Sequence, residues 1–153
     1  MAVLRVGAQR RREQGAELVE FALVLPLLLL VIVGIFDFGF LFRDYGVITN
    51  AAREGARIGV LGGYSNPDVQ ARAASYLTAA GLTAGLATTT VATAPLTIGT
   101  DPVSGVAVTV PVVSVTVTYP HTFGLLGPIA RLFGGSFGTI TLTAVSTMRV
   151  ESP

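Results

Sequence analysis

The chain has 153 residues, of which 51% are hydrophobic and 12% charged, against roughly a quarter charged in an average soluble domain. Ten arginines against nine acids leave a net charge of +1, so no broad basic surface points to nucleic acid, and the lack of cysteine excludes disulfides, thiolate metal sites and a cysteine nucleophile. One histidine, His121, leaves little material for a zinc centre or a Ser-His-Asp triad, so no enzyme, metal site or cofactor is expected.

The charges are unevenly placed. Residues 1–15 carry four arginines, Arg5, Arg10, Arg11 and Arg12, against Glu13, a net +3, while the remaining 138 residues carry six arginines against eight acids, a net −2. Behind this basic leader stand 16 consecutive uncharged residues, Phe21 to Phe36, and after Asp37 five more as far as Phe42. A helix over positions 21–42 reaches about 33 Å, enough for a hydrocarbon core of about 30 Å. The spacing therefore predicts a transmembrane helix over 16–42. Arginines in front of it put the N-terminus in the cytoplasm and the C-terminal part outside. A secretory signal peptide would end in a small-residue cleavage site, but here Gly34-Ile35-Phe36-Asp37-Phe38-Gly39 presents bulky residues and an acid. The anchor is expected to stay. Pro26 removes one helix hydrogen bond and is expected to bend the helix. Asp37, with Arg43 and Asp44, either marks the water boundary or, beside Gly34, Phe38 and Gly39, lies where a second helix can approach closely.

At the junction the sequence reads Arg11-Arg12-Glu13-Gln14-Gly15-Ala16-Glu17-Leu18-Val19-Glu20-Phe21. A basic leader ending in Gly, followed five residues later by Glu and then Phe, resembles the processing site of type IV pilin-like proteins. The resemblance implies that a prepilin peptidase cuts between Gly15 and Ala16 on the cytoplasmic side, making Glu20 the fifth mature residue and Phe21 the sixth. A carboxylate at the edge of a membrane helix costs a few kcal/mol if carried into lipid unpaired, so Glu20 should sit at headgroup level or meet a partner. The resemblance implies the freed amine of a neighbouring subunit. Glu17 fits the plainer role of an acid near a helix N-terminus, which Glu20 fits as well.

Further along, Asp37-Phe38-Gly39 and Ala51-Ala52-Arg53-Glu54-Gly55-Ala56-Arg57 join Gly15 and Glu20-Phe21 in a pattern that resembles TadE-like proteins, with Met148-Arg149-Val150-Glu151 as a weaker echo. The family comprises pseudopilins of the tight adherence (Flp) pilus system. The resemblance implies an inner-membrane minor pilin or pseudopilin, acting in pilus assembly, with other pilins or pseudopilins, the assembly platform, the prepilin peptidase and the lipid bilayer as partners. The alternative is a signal-anchored extracytoplasmic binding or sensor domain, which would keep its function on an unrelated anchor.

Past the membrane, Val47 or Ile48, Ala51, Ala52, Gly55 and Ile58 or Gly59 recur at helical spacing, predicting an amphipathic extension over 43–61 that ends at Gly62-Gly63. Its small-residue face can admit a sheet, while Arg53, Glu54 and Arg57 fall on another side, read as a solvated face or a subunit contact, where the two arginines repel slightly unless acids or neighbouring subunits face them. A second helix is signalled by Asn66 as cap, Pro67, Asp68 and a closing Gly81, with Val69, Ala73, Tyr76, Leu77 and Ala80 on one face. Three strands follow: one from about Thr89, which Pro95 marks as an edge; one from Val106 to Tyr119, whose alternation changes phase beside Pro111 and suggests a bulge there; and one over about Thr139 to Val150. The segment 120–135 is too apolar for a solvated loop and can hold a short helix from Pro128; it either completes the core or contacts another pilin or the membrane. His121 reads as a loop residue. The expected fold is α+β and type IV pilin-like, with residues 62–153 forming an extracytoplasmic domain of a second helix and a three-stranded, mostly antiparallel sheet.

Overall fold

A run of apolar residues with no helix breaker except one proline forms a single helix, and in the computed structural model α1 spans Val3–Gly59, passing through Pro26 without interruption. The structure describes the backbone of residues 3–150 and the side chains of residue 15 and residues 17–150. Met1, Ala2 and Glu151 lie outside the described residues, as do the side chains of Arg5, Arg10 to Glu13 and Ala16. Between Leu18 and Phe42 most apolar side chains of α1 stand exposed in the isolated chain, and its stretch from Glu17 is long and apolar enough to cross a membrane.

The last third of α1 carries the rest of the fold. Ile48, Ala51, Ala52 and Ala56 are fully buried, and with Gly55 and Gly59 they make a shallow face on which the second strand and the second helix close. A Cβ built on Gly55 would stand 3.3 Å from Val115 Cγ1, and one on Gly59 only 2.8 Å from Val113 Cγ1. Gly59→Ala is therefore expected to cost about 1–2 kcal/mol through overpacking, read as a lower thermal midpoint. Gly62→Ala, whose Cβ meets nothing within 4 Å, serves as the neutral control. The helix ends at Gly59, three residues before the glycine pair expected to stop it.

Helix α2, Asn66–Ala79, starts on Ser65 rather than Asn66. The Ser65 N–H and hydroxyl both donate to the Asp68 carboxylate, at 2.8 and 2.6 Å, a serine-acid pairing that the asparagine signal concealed. At its other end Gly81 takes φ +83°, so that its N–H reaches Thr78 O and the Leu82 N–H reaches Leu77 O. This closure satisfies the last carbonyls and favours glycine. Val69, Ala73 and Leu77 are buried as the spacing predicted, and full burial of a side chain such as Leu77 stabilises by about 1.5–3 kcal/mol.

After a single 3-10 turn at Ala84–Leu86, three strands form an antiparallel sheet in the order β1-β2-β3: β1 at Thr88–Thr100, β2 at Ala107–His121 and β3 at Ile140–Arg149. The α+β architecture expected from the sequence is the one observed. One face of the sheet, carrying Val113, Val115, Val117 and Tyr119 of β2 with Leu142 and Ala144 of β3, packs on α1 and α2. The opposite face bears Thr143, Val145 and Thr147 to the outside.

The bulge is not at Pro111. Pro111 pairs with Pro95 in continuous register, and the shift falls between Thr97 and Gly99, leaving Ile98 without an opposite residue. The Pro111 carbonyl accepts the Val150 N–H at 2.9 Å, so its backbone edge faces β3. The two prolines thus meet in a pair that needs no N–H between the strands. The change of phase in the sequence marks instead where β3 stops: beyond Val112–Arg149 the β1-β2 hairpin continues as a two-stranded arm, with Leu96, Ile98 and Val106 exposed.

Candidate functional site

The sequence-derived positions fall into three places along α1. At its start, Gly15, Glu17 and Glu20 are exposed, as is Phe21. Glu20 takes part in no salt bridge among the described residues. Gly34 and Gly39 face open space, with nothing within 4 Å of a Cβ built on either.

At the far end, Arg53 is exposed and Glu54 links two helices rather than standing in a solvated row. Arg57 grips it through Nε and Nη2, at 3.0 and 2.8 Å, and Arg72 of α2 reaches the same carboxylate at 3.0 and 2.6 Å. The expected repulsion of Arg53 and Arg57 is thus met by an acid within the chain. Hydrogen bonds from Arg57 and then Arg72 lower the Glu54 pKa from its ordinary 4.5 to about 2. The folded state therefore favours the carboxylate. Its stabilisation is complete above pH 4.5 and is lost as the pH falls toward about 2. Glu54→Gln should flatten the fall of the thermal midpoint across that acid window while leaving the rest of the curve unchanged in shape.

Between these lies a cluster that the sequence did not reveal. Asp37 is only 1% exposed and does not mark a water boundary. Its carboxylate accepts the Leu125 N–H at 3.1 Å and the Leu126 N–H at 2.6 Å, at the start of α3, Leu126–Leu132. That helix begins two residues before Pro128. Asp44, two turns further along the same face, is also buried, and its Oδ2 lies 2.8 Å from His121 Nδ1. His121 is not a loop residue: it ends β2 and is 4% exposed. Its Nε2 is buried with no hydrogen-bond partner, while the ring sits edge-on to Phe123, which in turn meets Phe38 and Phe137 at centroid distances of 6.0 and 5.7 Å. Arg43 adds a third tie, donating from Nη2 to the Ala80 carbonyl at the end of α2 at 2.8 Å, where a cation suits the helix end.

Together these groups line an open cleft of about 530 Å³ between α1, the end of β2 and Leu82 and Leu86. The imidazole is held by one carboxylate and the second carboxylate is occupied by backbone N–H groups, so the arrangement positions chain segments rather than a nucleophile. Among the described residues no three His, Cys, Asp or Glu side chains converge as metal ligands.

The pattern of α1 is the deciding observation. Residues 15–57 match the family model described as TadE-like protein, a match that begins at Gly15 and runs through Glu20-Phe21, Asp37-Phe38-Gly39 and Ala51 to Arg57. Over this stretch the chain is similar to TadE-like proteins. No curated protein and no solved structure matches the chain. The TadE-like segment contains both buried acids of the cluster, Asp37 and Asp44, and the Glu54 link, whereas their partners His121, Leu125 and Arg72 lie outside it. One end of each tie therefore belongs to the family segment and the other to the domain that follows.

Proposed function

We propose that this TadE-like chain is a minor pilin or pseudopilin of a Tad/Flp-type pilus system, held in the inner membrane by α1 with its sheet domain on the extracytoplasmic side. The observation that carries this reading is the coincidence of the family match with the leader junction: the TadE-like segment starts at Gly15, the residue after which the leader would be removed. On this reading residues 1–15 are the leader, 16–42 the span, 43–61 its extension and 62–153 the outer domain. A prepilin peptidase frees the Ala16 amine, and the Glu20 carboxylate receives the amine of a neighbouring subunit as α1 packs laterally among other pilins at the assembly platform. The exposure of Glu20 and of the apolar side chains behind it supports such packing, since a lone acid near lipid is favoured only when it finds a partner.

Intact-mass and N-terminal analysis of the protein produced with its own prepilin peptidase tests the processing. The expected product begins at Ala16 and contains 138 residues. A product that keeps its leader in the presence of an active peptidase overturns that part of the reading.

A further inference from the structure

The link between β2 and β3 does not fold back over the sheet. It leaves His121, places Phe123 against Phe38, ties Leu125 and Leu126 to Asp37, and then follows α1 toward its N-terminus. Ile129 and Phe133 form one wall of an apolar groove whose other wall includes Pro26, Leu30 and Val33 of α1. Leu30 lies seven residues before Asp37, about 10 Å further along the helix axis. The sheet meets α1 beyond this point, along the face from Asp44 to Gly59.

We propose that residues 125–135 are a second membrane element, with α3 sunk among the acyl chains of the leaflet on the side of the sheet domain. The proposal rests on α1 being the membrane span: whatever packs beside Leu30 and Val33 shares their surroundings. Three features fit lipid as the occupant of the groove and of the outer side of α3. Leu132 and Phe133 are 83% and 86% exposed, an arrangement that is unfavourable in water and favourable in an acyl layer. The two ends of α3 are tied within the chain, which favours burial in lipid: Asp37 takes the Leu125 and Leu126 N–H groups, while Gly134, at φ +72°, lets its own N–H reach Arg131 O and the Gly135 N–H reach Ala130 O. The segment carries a single charge, Arg131, whose long stem can return the guanidinium to the headgroup phosphates. Asp37 is then the positioning residue that hooks the element to the anchor at headgroup level.

The chain lacks tryptophan, so a single one reports its own surroundings. The full chain carrying Phe133→Trp is reconstituted into phosphatidylcholine-phosphatidylglycerol vesicles and quenched either with acyl-brominated phosphatidylcholine or with aqueous acrylamide. Leu28→Trp on α1 and Tyr64→Trp beyond its end are the references. Brominated lipid is expected to reduce the Phe133→Trp emission about twofold, as for Leu28→Trp, with acrylamide acting mainly on Tyr64→Trp. Acrylamide quenching of Phe133→Trp like that of Tyr64→Trp overturns the proposal by placing the loop in water. Protection from both quenchers overturns it in favour of a protein neighbour covering α3. If Leu28→Trp itself escapes the brominated lipid, it is the anchor reading that fails, which separates the two.

Discussion

Asp37→Ala is expected to destabilise the sheet-side half of the protein by about 2–4 kcal/mol, because each buried N–H left without its acceptor costs about 1–3 kcal/mol. Two N–H groups, those of Leu125 and Leu126, depend on this one carboxylate, and no other side chain hydrogen-bonds to residues 122–135 among those described. The loss should be local first. Hydrogen exchange of the purified full chain in detergent or nanodiscs is expected to lose protection at Leu125 and Leu126 and through α3, while Ala51, Ala52 and Val115 keep theirs. Asp37→Asn, which retains one carbonyl oxygen, should fall between wild type and Asp37→Ala. Unchanged protection at Leu125 and Leu126 in Asp37→Ala would remove Asp37 from its role as the hook. The same experiment reads the neighbouring tie: Asp44 and His121 are joined at 2.8 Å with little access to water, so their bond should remain when Asp37 is replaced.

The second large effect is expected on assembly rather than on stability. Glu20→Ala should insert into the membrane and lose its leader as wild type does, yet be recovered in pilus complexes about tenfold less, the equivalent of about 1.4 kcal/mol per contact. The exposed carboxylate makes no ion pair among the described residues, so its removal leaves the fold untouched. On the proposed reading, what is lost is the meeting with a neighbour's amine. Glu17→Ala, one turn earlier and also exposed, is the control that should assemble normally. Quantitative pull-down of tagged neighbouring pilins compares the three, and wild-type recovery of Glu20→Ala would sink the proposed pairing.

These two acids differ in where the residues that bear on them lie. Glu20 stands at a junction whose order of basic leader, glycine, acid and apolar run is read along the chain, and the family match covers the same residues. Asp37 is equally visible in the sequence as the one charge interrupting an apolar stretch. Its meaning was hidden because its partners lie 88 and 89 residues away. A signal was nonetheless present. The inward stripe read from Ile48 to Gly59 continues backward as Asp44, Leu41 and Asp37 at the same helical spacing, which assigns both acids to the covered face. Polarity alone assigned them to water.

The sequence by itself determined the long anchor, the small-residue face beyond it, the second helix with its glycine closure and three alternating strands, because apolar periodicity, caps and turns act over a few residues. Only the tertiary structure decided that β3 stops at Arg149, opposite Val112, that Ser65 and not Asn66 opens α2, that Glu54 ties α1 to α2, and that His121 and Asp37 are buried. A charge or an imidazole is driven outward by its own hydration unless a partner of the right geometry meets it. Whether such a partner arrives depends on how distant segments fold together, and it is this convergence on α1 that joins the long apolar helix to the sheet domain.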